Sequence, residues 1–452
     1  MIVLLAHHQF SANRLAAALL AEGIGSAHYQ WDHALRELPL PQPVERAVLI
    51  ASAPGILDIG KRTKEARLQL GSQTHLMVCT LKLTESERET LGRYGADTVI
   101  TSPTLSPEDI AERIMAELIS QGEIQPSSFG LLLGATRQMR QIYNQIETLA
   151  GFNDPVLILG ETGTGKDLIA REIHQRSQRP GPFQKLNCAD YPPELLRSEL
   201  LGHARGAFSG AHQAKSGLMA EAGRGTLFLD EIGELDIQAQ AMLLQVVEDR
   251  KFRAVGSNTL QDFNARLVLA THRNLEQLVE QNHFRQDLLA RIYGLTIFSP
   301  PLRERRADIP LLVHHFIEEF NHEYPDRQAQ IPAGVLDCLF ESAWPENIRQ
   351  LRKVVRNAAI FKNADGTISA ANLQHEVGIM NRRQQNRQQE LKSLNSTSFD
   401  PSSDTWQDAM RRLQKAYLTA VLNHTHGNRE AAIKISGLGK SRFYELLREL
   451  EI

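Results

Sequence analysis

The chain has 452 residues, 42% of them hydrophobic and 23% charged, with a net charge of −3. At about 150 residues per domain this predicts roughly three domains of ordinary soluble composition. It excludes a wholly disordered chain, a collagen, a disulfide-stapled miniprotein and an overall polycation, so any nucleic-acid contact must come from a local patch. No apolar run reaches the ~18 residues a membrane helix needs, and the opening MIVLLAHHQF lacks the basic n-region and cleavage site of a signal peptide. The three cysteines, Cys79, Cys188 and Cys338, form no CxxC pair, which fits a reducing cytosol and argues against a structural zinc site.

In chain order, residues 1–120 alternate short apolar runs (Ile2–Leu5, Ala47–Ile50, Leu76–Cys79, Thr98–Ile100) with amphipathic stretches such as Ser11–Ala21 and Ser106–Leu118. That alternation predicts an α/β fold, a doubly wound parallel sheet with helices on both faces. Residues 121–130 read as a short polar linker. A second α/β block spans 131–300, with strands predicted at Pro155–Leu159, Thr226–Leu229, Arg266–Ala270 and Leu295–Phe298. Residues 301–378 turn helical (Ile309–Tyr324, Ala333–Ser342, Asn347–Phe361), as a helical subdomain on a nucleotide-binding core. Residues 379–404, rich in Gln, Arg, Asn and Ser, read as a flexible linker. Residues 405–452 are again helical, and from Trp406 onward carry eight Lys/Arg against five Asp/Glu.

The most specific string is Gly160-Glu161-Thr162-Gly163-Thr164-Gly165-Lys166, placed between a predicted strand and a predicted helix. That is the context of a phosphate loop: glycines let backbone N–H groups converge on phosphates, and the helix N-terminus favours anions. Lys166 can reach the β- and γ-phosphates of ATP. Asp167 stands where a hydroxyl usually touches Mg²⁺, so metal binding leans on other groups. About 65 residues on, the apolar run Leu227-Phe228-Leu229 ends in Asp230-Glu231. Asp230 suits a Mg²⁺ ligand and Glu231 a base for the attacking water.

These strings, together with LNCAD, ELLGHARGAFSGA, ARLVLATHRNL, FRQDLLARI, PPLRERRADIP and WPENIRQL, resemble the AAA+ transcriptional activators of sigma-54 RNA polymerase, the NtrC- and FleQ-like bacterial enhancer-binding proteins. The resemblance covers about residues 130–378 and the C-terminal stretch. It implies that Asn187 is a switch holding Glu231 until the γ-phosphate arrives, and that Thr271 and His272 occupy the sensor I position, where many members have Asn for His272. It further implies that Arg285 and Arg291 are arginine fingers and that Arg349 is the sensor II arginine of the lid. Fingers supplied in trans make activity depend on assembly, and the family's working form is a hexameric ring. Gly206-Ala207-Phe208-Ser209-Gly210-Ala211 matches the loop that pushes on sigma-54. Phe208 would be its main contact, and Ser209 replaces the family's threonine.

The N-terminal block, with Gly95-Ala96-Asp97-Thr98-Val99-Ile100, resembles response-regulator receivers. Where a receiver has its acidic pair, its acceptor aspartate and its lysine, this chain has Ala6-His7-His8, Ala51-Ser52-Ala53 and Ser102-Pro103. The expectation is a pseudo-receiver that regulates by contact or ligand, with Asp58 and Asp97 as badly placed acceptors. Cyclic di-GMP is an effector of some family members. The arginine that grips it is missing from Ser127-Ser128-Phe129-Gly130-Leu131-Leu132.

Near the end, a helix begins around Arg429, Ser436-Gly437-Leu438-Gly439 makes a turn, and Lys440–Leu450 forms a second helix, which describes a helix-turn-helix. It resembles the family's Fis-type DNA-binding domain. Lys440, Ser441, Arg442 and Tyr444 would meet DNA bases or phosphates, and Arg429 and Arg448 phosphates. Trp406–Leu422 would pair two copies on a pseudo-palindromic site. The sequence thus predicts a cytoplasmic, DNA-binding, ATP-hydrolysing activator of sigma-54 polymerase. The alternative is a nucleotide- or cyclic di-GMP-responsive regulator working with housekeeping polymerase.

Overall fold

Two parallel sheets of five strands organise the chain. The computed structural model describes residues 2–6, 12–22, 24–30, 44–51, 56–81, 83–102, 104–121, 128–207, 213–332, 335–380, 382, 405–425 and 428–450. They fall into two units, Met1–Gln374 and His375–Ile452.

The first sheet contains β1 (Ile2–Ala6), β2 (Ser26–Gln30), β3 (Arg46–Ile50), β4 (His75–Thr80) and β5 (Thr98–Thr101), in the spatial order β2-β1-β3-β4-β5. This is the order of flavodoxin-like doubly wound folds, whose crevice opens at the carboxyl ends of β1 and β3. Strands β3 and β4 are buried nearly end to end because helices cover both faces. Each fully buried Leu, Ile or Val contributes about 1.5–3 kcal/mol. Strand β2, SAHYQ, is an edge strand without an apolar run, and the sequence pattern did not announce it.

Two short strands, β6 (Ser128–Phe129) and β7 (Leu132–Leu133), form an antiparallel hairpin that leads into the second sheet. That sheet contains β8 (Val156–Leu159), β9 (Phe183–Asn187), β12 (Thr226–Asp230), β15 (Arg266–Thr271) and β16 (Leu295–Phe298), in the order β16-β8-β15-β12-β9. Two small hairpins branch from it: β10 (Gly202–His203) with β11 (Lys215–Ser216), and β13 (Lys251–Phe252) with β14 (Gln261–Asp262). The predicted central strands are found within a residue or two. β9, FQKLN, is the second strand the pattern missed, and it too lies at a sheet edge.

The helical subdomain holds Ile309–Glu323, Asp337–Phe340 and Asn347–Ile360. The helix expected over 333–342 is thus a single turn, with residues 333–334 outside the described chain. Trp344 is fully buried here and donates its Nε1 proton to Leu339 O at 2.9 Å. Buried Asp308 accepts from the backbone N–H groups of Ala135 and Thr136, tying this subdomain to the start of the core.

The helix Pro107–Ser120 packs the N-terminal domain on the core. Its Met115, Ala116 and Ile119 bury against Ala135, Ala307 and Phe340, and the Arg113 guanidinium lies 5.1 Å from the Phe340 ring centroid. Glu22 reinforces the contact by accepting from the Arg137 N–H at 3.0 Å.

In the second unit, helices Trp406–His424, Arg429–Ser436 and Lys440–Glu449 enclose Leu418, Val421, Ala432, Phe443, Leu446 and Leu447. Asn428 caps the middle helix by accepting from Ala431 N. Gly437 then takes a left-handed φ of 66°, which permits the sharp turn. Most of the predicted linker, 383–404, lies outside the described residues.

Candidate functional site

Strand β8 runs straight into the Gly160–Lys166 loop, and the helix Lys166–Arg176 starts on its lysine. Gly163 and Gly165 take φ values of 80° and 100°, which only glycine adopts without strain. A Cβ on Gly163 would lie 2.2 Å from Glu346 O and 3.0 Å from Arg349 Cβ, so the lid closes directly over the loop. Ile348 N donates to Gly163 O at 3.0 Å, and Asn347 Nδ2 donates to Thr162 O at 3.0 Å. Glu161 accepts two hydrogen bonds from Arg303, at 2.7 and 2.8 Å, which hold its carboxyl below the usual range. The partners Arg303 and Asn347 were not foreseen. Only their positions, in the family-like strings PPLRERRADIP and WPENIRQL, could have drawn attention to them.

Lys166 is nearly fully buried. Its Nζ donates to Gly160 O at 2.9 Å and Glu161 O at 3.3 Å, and stands 3.6 Å from Glu231 Oε1. The loop lysine and the predicted base, 65 residues apart in sequence, therefore share one pocket. Thr164 is buried, with its hydroxyl donating to Glu161 O at 2.9 Å.

Asp230 ends β12 and accepts from the Glu231 N–H at 3.1 Å. Burial and the neighbouring Glu231 charge push its carboxyl up, against the pull of Lys166 and Lys185. Lys185 lies between Asp167 Oδ2 at 3.7 Å and Asp230 Oδ2 at 3.9 Å. Burial would raise Glu231 as well, but Lys166 and the hydrogen bonds and charge of His272 outweigh it, so its carboxyl sits below the usual value.

Glu231 is paired with His272, at 2.7 Å from Nδ1 and 3.2 Å from the backbone N. Asn187 does not supply this contact: its Oδ1 accepts from Ala189 N at 3.1 Å and its Nδ2 donates to Asp190 Oδ1 at 2.9 Å. Thr271 is buried at the end of β15, and its carbonyl accepts from Gly160 N at 3.3 Å.

The two candidate fingers face other acids. Arg285 makes a paired contact with Asp287 at 2.7 and 3.0 Å, and Arg291 reaches Glu248 at 2.9 Å. Arg291 is largely exposed.

Of the Gly206–Ala211 string, Gly206 and Ala207 are described. Phe208, Ser209, Gly210 and Ala211 lie outside the described residues. The segment issues from the β10–β11 hairpin, anchored where Ala204 N donates to Val255 O at 2.9 Å.

In the second unit, Arg429, Lys440, Ser441, Arg442, Tyr444 and Arg448 are all exposed. The Arg429 guanidinium lies 5.9 Å from the Tyr444 ring centroid, and Arg442 pairs with Glu445 at 2.7 Å.

Residues 132–298 match the Sigma-54 interaction domain, and residues 303–390 the AAA+ ATPase lid domain. The chain is 36% identical over 338 residues to the DNA-binding transcriptional regulator NtrC of Azospirillum brasilense, covering 71% of this chain and 69% of that protein. It is 34% identical over 325 residues to the regulatory protein AtoC of Escherichia coli K12, covering 72% of this chain and 68% of that one. Among solved structures, NtrX of Brucella abortus in complex with ATP aligns over 100% of this chain and 99% of its own, with 26% identity and a TM-score of 0.51. The chain belongs to the sigma-54-dependent transcriptional activators, an AAA+ ATPase family. No helix among the described residues is long and apolar enough to cross a membrane.

Proposed function

We propose that the protein is a cytoplasmic activator that binds promoter-upstream DNA as a dimer, assembles into a ring, and couples ATP hydrolysis to remodelling of sigma-54 polymerase. The observation that carries this reading is the convergence of Lys166, Asp230 and Glu231 at the carboxyl ends of β8 and β12, while Arg285 and Arg291 pair with acids outside that pocket. A site complete but for its guanidinium groups is one that a neighbouring subunit finishes.

In this reading Lys166 exchanges its loop carbonyls for phosphate oxygens, with the amides of Gly160–Gly165 alongside. Glu231 takes the proton of the attacking water. Thr271 and His272 lie beside the γ-phosphate, Asn187 flanks the acids, and Arg349 reaches the phosphates from the lid.

The residues fit Mg²⁺ in its usual mode with nucleotides. No group of three or more candidate ligands exists among the described residues, and Mg²⁺ typically takes one or two carboxylates plus phosphate oxygens and waters. Asp230, with its proton affinity raised by burial and by the adjacent Glu231, is a carboxylate that an added cation would stabilise. When bound, Mg²⁺ would neutralise charge on the transferring phosphoryl group.

The Gly206–Ala211 loop would present Phe208 and Ser209 to sigma-54. Lys440, Ser441, Arg442 and Tyr444 would read DNA, with Arg429 and Arg448 on phosphates. The exposed Trp406, Leu413 and Tyr417, at helical spacing, would pair two copies. The N-terminal domain would regulate by contact as a pseudo-receiver. Cyclic di-GMP draws no support from the relatives above, and the match to a sigma-54 interaction domain favours that polymerase over the housekeeping form. In vitro transcription with each polymerase tests the reading. Open complexes are expected only with sigma-54 polymerase and ATP, and none with Glu231→Gln. Activation of housekeeping polymerase without hydrolysis would overturn it.

A further inference from the structure

We infer that His272 is a positioning residue that parks the Glu231 carboxylate when no γ-phosphate is present, a task Asn187 does not perform in this chain. The inference rests on the reading of Glu231 as the water-activating base.

An ionised carboxylate only accepts hydrogen bonds, so the nitrogen facing it must donate. Glu231 Oε2 receives two donors from one residue, the His272 backbone N–H at 3.2 Å and Nδ1 at 2.7 Å. The second is a charge-assisted contact, of the stronger class. The Glu231 backbone, with φ 56° and ψ 51°, lies in the left-handed region that non-glycine residues rarely occupy. Such a conformation persists only where the surroundings fix it, and it aims this side chain toward β15. The strand register explains the meeting. Leu229 pairs with Leu269, so two residues further on Glu231 comes level with Thr271, next to His272. Asn187 pairs in register with Asp230 on the other side of β12, and the hydrogen bonds its amide makes, from Ala189 N and to Asp190 Oδ1, lie within its own turn.

Strand β15 lies between β8, which carries the phosphate loop, and β12, which carries the acids. His272 therefore stands where a γ-phosphate drawn in by Lys166 would arrive. Lys166 is also the second partner of Glu231, at 3.6 Å from Oε1. A triphosphate that engages Lys166 takes away one hold on Glu231, and the carboxylate must leave His272 to meet the water. A diphosphate can also engage Lys166 through its β-phosphate, but it brings no group to the His272 end of the pocket and leaves the catch, the two His272 bonds to Glu231, in place. The catch thus opposes ATP and is indifferent to ADP, and by linkage its removal shifts the preference between them.

The test measures affinities of the full-length chain for a non-hydrolysed ATP analogue and for ADP, both with Mg²⁺, and takes their ratio. In His272→Ala the ratio is expected to move toward the ATP analogue by roughly ten-fold, the equivalent of one charge-assisted hydrogen bond. His272→Asn, which puts an amide donor near the Nδ1 position, should return it to within about three-fold of the native value. Asn187→Ala should leave it unmoved. A merely structural histidine would change both affinities together. The inference is overturned if the ratio in His272→Ala stays level or falls, or if Asn187→Ala shifts it equally. A native chain that binds neither nucleotide would sink the ATPase reading and this inference with it, whereas a native chain that binds both with no His272 effect sinks the inference alone.

Discussion

In the N-terminal sheet, β1 ends on Ala6, β3 runs into Ala51 and β5 into Ser102. In the core sheet, β8 runs into Gly160–Lys166 and β12 ends on Asp230 with Glu231 beside it. Both sheets are five-stranded and parallel, and in such doubly wound folds ligands bind just past the carboxyl ends of the strands. The same scaffold carries phosphate chemistry in one place and alanine or serine in the other. Fold comes from the buried apolar strands, chemistry from the few residues just past them, and the two vary independently. The acids left in the N-terminal domain sit elsewhere. Asp58 lies exposed in the first turn of the helix Ile56–Leu70. Asp97 lies at the start of β5, the far end of the sheet, where it accepts from Leu76 N at 2.7 Å and pairs with Arg67.

The largest effect that would break or sharpen this contrast concerns the core sheet. Arg291→Ala is expected to lower kcat for ATP by about 10³–10⁵, with nucleotide affinity little changed. Mixing Arg291→Ala with Glu231→Gln should restore part of the rate, since mixed neighbours can assemble one intact site. Two dead variants that stay dead on mixing would place the arginine's role within its own chain.

A smaller effect is expected where the N-terminal domain meets the core. Glu112, on the helix Pro107–Ser120, has its carboxyl pushed up to about 7 by burial, against the attraction of Arg306 and Arg113 and with Asp109 and Glu22 adding to the rise. The folded chain holds this proton more tightly than the unfolded chain. The resulting stabilisation is present below the ordinary value of 4.5 and is lost as pH rises through about 7. Between pH 5 and pH 8 the native protein should lose about 1–2 kcal/mol of stability relative to Glu112→Gln, read from paired denaturation curves. Parallel pH dependences for the two proteins would show that Glu112 is not the group responsible.

The smallest expected effect is none. Incubation of the full chain with a small phosphodonor should leave Asp58 and Asp97 unmodified by mass spectrometry. A stable aspartyl adduct on either would mean that the N-terminal crevice works like a receiver after all.

The sequence made some of this legible and hid the rest for identifiable reasons. Strands such as Leu76–Cys79 and Thr226–Leu229 announce themselves because both faces are buried and every position but Thr226 is apolar. Ser26–Gln30 and Phe183–Asn187 escape because an edge strand covered on one side need not be apolar throughout. The phosphate loop and the Asp230-Glu231 pair are local strings and could be read directly. The Glu231–His272 contact could not, because it joins residues 41 positions apart through the β12–β15 register. The bond between Arg303 and Glu161 spans 142 positions and was hidden for the same reason. Fully buried Arg266, which donates to Ala150 O and Leu149 O at a helix end, looks in sequence like any surface arginine.

Specific ATPase activity measured across a dilution series, with the oligomeric state followed by light scattering, tests the central claim most directly. Turnover per chain should rise steeply over the concentrations at which assemblies form, and should fall to a residual level where only single chains remain. Full turnover per chain at dilutions holding only monomers would contradict a shared site.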